Sequence, residues 1–369
     1  LTVSVQQVST VPDNMQSMIP SAFTEAGKIY YFGGKTPVTE PYVATSAIRS
    51  YETSTSEWAT LSSSLPYEVF DYNVSAQVVS GSYYVGPGYT TGNSNGWGSH
   101  SKLVTGSLAS GAGSETVAWP IGTIWNVGSC LANGKIYYFG GHNGGNQTTI
   151  MEYDPGAGTL TQVASMLVTG NGVRATLGTD GWIYYWRSWD GSASWNAIER
   201  FHPVTKAVEM RTAVLPYTDN LGAQHVFHVA SESALYFFRS GLDPKLHKYA
   251  YLTDTLTDTG LAVPGQFSPY VATQDTSDER TIYVLGQGAT TSDPLQLLKV
   301  SLSGTAAKSS VTITATDANA SEAGLDAGQF TVTRTGSTAS GLAVDYTVAG
   351  TATSGSDYQA LPGTLTIPA

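Results

Sequence analysis

The sequence Gly-Lys-Ile-Tyr-Tyr-Phe-Gly-Gly occupies residues 27–34 and returns at residues 134–141. Weaker copies of its apolar core bring the repeats to six, and these cores begin at Ile29, Ser82, Ile136, Ile183, Leu235 and Ile282. Successive cores are separated by 53, 54, 47, 52 and 47 residues. A period of roughly 40–50 residues is typical of propeller blades and is longer than most solenoid repeats. The repeats therefore predict a six-bladed β-propeller.

The composition is that of an all-β protein with uncharged polar loops. Apolar residues make up 41% of the 369 residues and charged residues only 12%, and the chain contains 40 Gly and 22 Tyr. The net charge of −11, with only 17 Lys and Arg, excludes general nucleic-acid binding, because phosphate contacts require clustered cations. The sequence contains no run of about 18 apolar residues, so it predicts no membrane-spanning helix.

Each of the first five repeats contains four short strand-like segments, which is the content of one antiparallel blade. The sixth repeat lacks a fourth segment, whereas residues 1–10 form a strand-like segment with no hairpin partner. We expect residues 1–10 to complete the sixth blade and close the ring. Every copy keeps a tyrosine at its second position, and packing between blades is the expected role of Tyr30, Tyr83, Tyr137, Tyr184, Tyr236 and Tyr283.

Three features accompany the octapeptide: the Gly-Gly pair that ends the second strand, a downstream Tyr-Asp-Pro as at Tyr153-Asp154-Pro155, and an occasional outer-strand tryptophan such as Trp58. With these features, residues 1–304 resemble the kelch family. The resemblance implies a propeller domain over this range. It does not select a function, because kelch propellers serve as binding platforms, structural modules and enzymes.

The sequence changes character after Gly304, where alternating residues 311–314 are followed by Gly-Thr-Ala-Thr-Ser-Gly-Ser-Asp-Tyr at residues 350–358. Residues 305–369 resemble the N-terminal part of a Calx-β domain, which implies an incomplete immunoglobulin-like sandwich and a fragment of a longer protein. Glu322 and Asp357 match acidic positions that bind calcium in that family. Two carboxylates are too few for the roughly six to eight oxygen ligands of calcium. We therefore expect an incomplete calcium site, and no other cofactor is predicted with certainty.

In a propeller, the entrances of the first strands and the exits of the second strands lie on one face, around the central channel. Exposed tryptophans beside Asn, Asp and Gly are suited to stacking on sugar rings, although interior packing is the alternative. The candidate ligand-binding residues on this face are Trp125, Asn126, His142, Asn143, Arg174, Arg187, Trp189, Asp190, His225 and Arg239.

Two arginines replace a glycine of the repeat. Gly33 and Gly140 hold this position in the faithful copies, whereas the fourth and fifth copies have Arg187 and Arg239. One interpretation is an anion site, because a guanidinium matches carboxylate geometry. The other is that each arginine pairs with a nearby acid, such as Asp190 or Asp243.

These observations favour a secreted or cell-surface bacterial protein whose targeting segment has been removed, since the chain starts at Leu1 rather than Met. We expect an extracellular recognition or adhesion protein that binds a carbohydrate, with an acidic polysaccharide as one candidate, or a surface protein. A structural subunit that self-assembles through the Calx-β region is one alternative. The other is a polysaccharide lyase, in which an arginine neutralises a uronate and a base removes the adjacent proton. Its candidate residues are His142, His225, Tyr89, Arg187 and Arg239.

Overall fold

The computed structural model describes residues 1–367 except 13–19, 37–42, 71–75, 91–97, 188–195, 217–224, 240–242, 265–267, 288–293, 304–309, 322–323, 325 and 336–341. The chain divides into two compact units, Thr2–Leu302 and Ser303–Ala369, the second of which includes Leu1. The described residues include no helix with the length and apolar character needed to span a membrane.

The first unit is a six-bladed β-propeller in which every blade is a four-stranded sheet. Blade 1 consists of Ser21–Glu25, Lys28–Phe32, Ile48–Glu52 and Glu57–Thr60. Blade 2 consists of Ala76–Val79, Ser82–Val85, Lys102–Ser107 and Gly113–Ala118. Blade 3 consists of Gly128–Ala132, Lys135–Phe139, Thr149–Asp154 and Thr159–Ser165.

The remaining blades follow the same order. Blade 4 consists of Arg174–Leu177, Ile183–Trp186, Ala197–Phe201 and Val208–Val214. Blade 5 consists of His225–Val229, Ala234–Arg239, Asp243–Ala250 and Thr255–Ala262, with the short 3-10 helix Ala230–Glu232 between its first two strands. Blade 6 consists of Ser268–Gln274, Thr281–Gln287, Leu295–Ser303 and the N-terminal strand Thr2–Thr10.

The N-terminal strand closes the ring as the sequence predicts. Thr2–Thr10 lies beside Leu295–Ser303 as the outermost strand of blade 6. The backbone N–H of Val11 then donates to the carbonyl of Leu295 at 2.8 Å. The last blade therefore joins both ends of the propeller sequence, and its outer strand has no hairpin connection to its neighbour.

Packing between neighbouring blades forms the core. Five of the six second-position tyrosines are buried, and Tyr30 is half-buried, which confirms their expected structural role. Between blades 3 and 4, for example, the ring centroids of Phe139 and Tyr185 are 4.9 Å apart, and those of Tyr137 and Phe201 are 5.3 Å apart. Such aromatic contacts fix the angle between adjacent sheets.

The second glycine of the Gly-Gly pair forms a backbone hydrogen bond to the segment that leads into the next blade, and we call this contact the Gly-Gly fastening. In blade 1 the N–H of Gly34 donates to the carbonyl of Val69 at 2.7 Å, and in blade 3 the N–H of Gly141 donates to the carbonyl of Gly170 at 3.1 Å. A Cβ at Gly33 would lie 2.0 Å from the Val69 carbonyl oxygen. The first glycine is therefore required by a close approach of two backbones as well as by its positive φ of 69°.

Short additional strands accompany the propeller, and Lys35–Thr36 pairs with Val43–Ala44 while Tyr89–Thr90 pairs with Gly98–Ser99. In the second unit, Ser310–Asp317 pairs with Gln329–Thr335, and Leu342–Asp345 pairs with Thr364–Ile367. These are two separate two-stranded sheets. Several of their apolar side chains are exposed, including Ile313 and Phe330.

Candidate functional site

The first strands of all six blades surround a central channel that contains a cavity of about 530 Å³. Its lining combines apolar side chains with uncharged polar ones. Gln77 Nε2 donates to Ser129 Oγ at 3.0 Å, and Thr24 Oγ1 donates to Thr273 Oγ1 at 3.1 Å. These hydrogen bonds link neighbouring blades across the channel wall. The ionisable side chains among the described lining residues are those of Cys130, Arg174, His228, Asp275 and Glu279.

Trp125 and His142 form a pair at the channel face of blade 3, which we call the aromatic platform. Trp125 precedes the first strand of the blade and His142 follows the second, so the two loops meet at the same end of the sheet. Their backbones form an isolated bridge, in which the N–H of His142 donates to the Trp125 carbonyl at 2.8 Å. The two rings stack with centroids 4.4 Å apart and an angle of 30° between their planes.

Three asparagines beside the platform form a chain of hydrogen bonds, which we call the amide ladder. Asn126 Nδ2 donates to Asn171 Oδ1 at 3.3 Å, and Asn171 Nδ2 donates to Asn146 Oδ1 at 2.6 Å. Asn126 has a left-handed backbone with φ of 57°, a conformation that asparagine tolerates better than most residues. The ladder connects the entrance of blade 4 to both loops of blade 3, so it fixes the surface around the platform.

Asn143 strengthens the same loop, because its Nδ2 donates to the backbone carbonyl of Ile121 at 2.5 Å. Asn146 was not singled out from the sequence, although it lies in the same loop as His142 and Asn143. The sequence signal for Asn146 is the nearby pair Gly144 and Gly145, because these glycines indicate a turn that brings Asn146 back towards the sheet. The sequence-predicted residues Trp125, Asn126, His142 and Asn143 thus belong to one connected surface.

Burial lowers the pKa of His142 below the ordinary histidine value, because removal of water disfavours the imidazolium form. The ring is therefore neutral at pH 7. Its buried Nδ1 has no hydrogen-bond partner within the part of the chain that the structure describes. A neutral, stacked indole–imidazole pair offers a flat apolar ring face, and the half-buried Asn143 and Asn146 lie in the same loop as His142 and carry amide donors and acceptors.

Arg187 is fully buried and forms an ion pair with Glu199, which lies on the next strand of blade 4. Glu199 Oε2 also accepts hydrogen bonds from Tyr185 Oη at 2.9 Å and from the Leu167 N–H at 2.7 Å. The guanidinium therefore takes part in an internal network and does not offer an anion site at the channel mouth. Of the two interpretations, pairing with an acid describes Arg187, and its described partner is Glu199.

Six predicted site residues remain, and only one of them has a described side chain. Arg174 is half-buried and lines the central channel. Trp189 and Asp190 lie outside the described residues. For Tyr89, His225 and Arg239 only the backbone is described, with respective strand partners Ser99, Phe238 and Asp243.

The second unit provides one described calcium candidate. Asp357 is exposed, and its Oδ2 accepts a hydrogen bond from the N–H of Thr353 at 2.7 Å. Glu322 lies outside the described residues. In the described ranges, no group of three or more His, Cys, Asp or Glu side chains could hold a metal ion.

No family model and no curated protein matches this chain. Among solved structures, the chain is similar to one described as "Structure of YjhT", with a TM-score of 0.58 and 12% sequence identity. The match covers 88% of this chain and 100% of the other. At this identity the likeness concerns the fold alone, and it agrees with the six-bladed β-propeller that the strand order defines.

Proposed function

We propose that the propeller is an extracellular recognition or adhesion module, and that its channel face binds a carbohydrate through the aromatic platform of Trp125 and His142. The stacked platform beside the amide ladder is the single observation that carries this proposal. A pyranose ring has apolar C–H faces that pack on aromatic planes, while its hydroxyl groups require both donors and acceptors. Asparagine amides supply both.

We also propose that the first unit is a kelch-type propeller and that residues 305–369 are the N-terminal part of a Calx-β domain. The kelch assignment is supported by the Gly-Gly fastening, which is the same in blades 1 and 3. Calcium binding would depend on Asp357 and Glu322. Self-assembly through this region, secretion and a bacterial surface location stay predictions from the sequence.

The charges of the site favour a neutral glycan. His142 is uncharged at pH 7 because of its lowered pKa, and Arg187 is engaged by Glu199. Recognition of an acidic polysaccharide, and the lyase alternative, would therefore have to rely on Arg174 or Arg239. A recognition module only binds its carbohydrate and catalyses no reaction. The proposal therefore does not depend on Arg174 or Arg239.

A glycan array tests the proposal with wild-type protein and the variant Trp125→Ala. We expect the wild type to bind a restricted set of neutral glycans and the variant to bind at least about tenfold more weakly, as is usual for a central aromatic contact. The matched control is Trp182→Ala. Trp182 is also half-buried but precedes the second strand of blade 4, and its ring lies 4.0 Å from the Arg200 guanidinium carbon. Binding that survives Trp125→Ala, or no glycan binding by the wild type, would contradict the proposal.

A further inference from the structure

Arg49 is a buried cation in the third strand of blade 1. It is 7% exposed, and its Nε and Nη1 have no hydrogen-bond partner among the described residues. Burial lowers the pKa of its guanidinium. An arginine without a counter-charge is costly to bury, because the protein must remove water from the charge without replacing its hydrogen bonds.

A second donor lies next to this arginine. Tyr31, on the second strand, is directly opposite Arg49 in the strand pairing, so the two side chains emerge on the same face of the sheet. Its Oη is also buried and has no hydrogen-bond partner in the described ranges. A guanidinium and a hydroxyl group thus share one face of the sheet, both with unused hydrogen-bonding capacity.

Blade 3 provides an internal comparison, because it contains the same octapeptide. Tyr138 corresponds to Tyr31, and the residue opposite Tyr138 is Met151, which is 2% exposed. The Oη of Tyr138 likewise has no hydrogen-bond partner among described residues, so the arginine is what distinguishes blade 1. Since the same backbone accepts methionine at this place, packing alone does not require Arg49.

Positive charge accumulates at this end of blade 1. Lys35 is 4% exposed, and its Nζ lies 5.4 Å from the centre of the Phe70 ring. Phe70 belongs to the same buried cluster as Tyr31. Lys35 and Tyr31 therefore adjoin one apolar cluster, and no described carboxylate forms an ion pair with Arg49. A buried guanidinium without a described counter-charge favours a negative charge beside it.

We propose that blade 1 contains a binding site for a small monovalent anion, held by the Arg49 guanidinium with the Tyr31 hydroxyl as a second donor. The anion supplies the missing counter-charge and accepts the unused hydrogen bonds. The site belongs to the seam between blades 1 and 6, because the Tyr31 cluster includes Leu295 and Leu297 of blade 6. It is independent of the carbohydrate proposal for blade 3.

Chloride titration followed by thermal melting tests the site in solution, with ionic strength held constant by a bulky sulfonate. The wild type should gain melting temperature in a saturable way as chloride rises. Arg49→Met, which introduces the blade 3 residue, should show no chloride dependence and should exceed the wild type in stability when chloride is absent. The control Lys102→Met removes an exposed cation that pairs with Glu115, and it should keep the wild-type response.

Crystals soaked in bromide give the direct measurement. We expect an anomalous peak beside the Arg49 guanidinium in the wild type and none in Arg49→Met. If Arg49→Met does not fold, Tyr31→Phe serves instead, and it should weaken chloride binding several-fold because it removes the second donor while keeping the aromatic ring. Absence of the bromide peak in the wild type, or equal chloride responses of the wild type and the variants, would overturn the proposal.

Discussion

Gly140 and Gly144 both have a left-handed backbone, with φ of 61° and 63°, but only Gly140 is enclosed by another segment. A Cβ at Gly140 would lie 2.3 Å from the Gly170 carbonyl oxygen, whereas nothing lies within 4 Å of one at Gly144. We expect Gly144→Ala to cost about 1 kcal/mol of unfolding free energy from backbone strain alone. Gly140→Ala should cost about 3 kcal/mol or more, because the backbones must separate. Urea unfolding measures both, and equal losses would show that the close approach is unimportant.

His228 makes the stability of the propeller sensitive to acid. Its Nε2 lies 3.3 Å from Tyr251 Oη in the wall of the channel. Burial lowers its pKa, and the opposing effect of Glu279 and Asp180 is smaller. Because the folded state prefers the neutral ring, its stability is fully present above the ordinary pKa of about 6.5 and is lost as the pH falls below it. His228→Gln cannot be protonated, so urea midpoints at pH 7.5 and pH 5 should differ less than in the wild type. An equal or larger difference would refute this role.

Individual residues also mark the limit of sequence reasoning. The replacement of glycine by Arg187 was visible in the repeat, but its partner Glu199 lies 12 residues later in the sequence, on the next strand of the blade. The pairing depends on the strand register that places Tyr185 opposite Glu199. A one-residue shift would turn the carboxylate to the other side of the sheet. The arginine could therefore be recognised as unusual, but its burial could not be predicted.

At the scale of the element, Glu199 forms the ion pair with Arg187 inside blade 4 and also accepts a hydrogen bond from Leu167, in the segment that leads from blade 3 to blade 4. Replacing Glu199 by Gln leaves a buried guanidinium without its counter-charge, which should cost about 3–5 kcal/mol. The control Glu115→Gln breaks the exposed pair with Lys102 and should cost less than about 1 kcal/mol. Chemical unfolding of both variants provides the comparison. Similar losses in the two variants would mean that burial adds nothing to the pair.

Strands were more predictable than loops because the octapeptide specifies a complete local structure: a turn glycine, a buried strand and the Gly-Gly fastening. The contact between Trp125 and His142 has no such local signal. Sequence placed both residues on the channel face, whereas their stacking follows from a backbone bridge between two loops. The order of the amide ladder depends on asparagines from three loops, so it required the folded arrangement.

At the scale of the whole molecule, Thr2–Thr10 closes the ring by supplying the fourth strand of blade 6. Deletion of residues 1–11 would leave Leu295–Ser303 as an unpaired edge. We expect a melting temperature at least about 5 °C lower, together with self-association through that edge. Truncation after Ser303 is the control, since it retains all strands of the six blades. Calorimetry with light scattering should detect both effects, and an unchanged monomeric propeller after the deletion would contradict the closure argument.

The overall architecture could be predicted from the repeat. The number of copies gives the number of blades, and the order of strand-like segments within a copy gives the order of strands in a blade. The ligand is not recorded in this way, since propellers of one architecture differ in the loops around the channel. Those loops contain the tryptophan, histidine and asparagines on which the carbohydrate proposal rests. The charge of the site could not be predicted from the sequence, because it depends on burial. Arg187 is buried and paired with Glu199, and burial lowers the pKa of His142 so that its ring is neutral.

The most direct measurement is a crystal structure of the propeller bound to a fragment of the preferred glycan from the array. The account predicts that one sugar ring packs face-on against an outer face of the stacked pair of Trp125 and His142 and that its hydroxyl groups contact Asn143 or Asn146. A glycan that binds at the outer strands, or at the opposite end of the channel with Trp125 and His142 untouched, would contradict it.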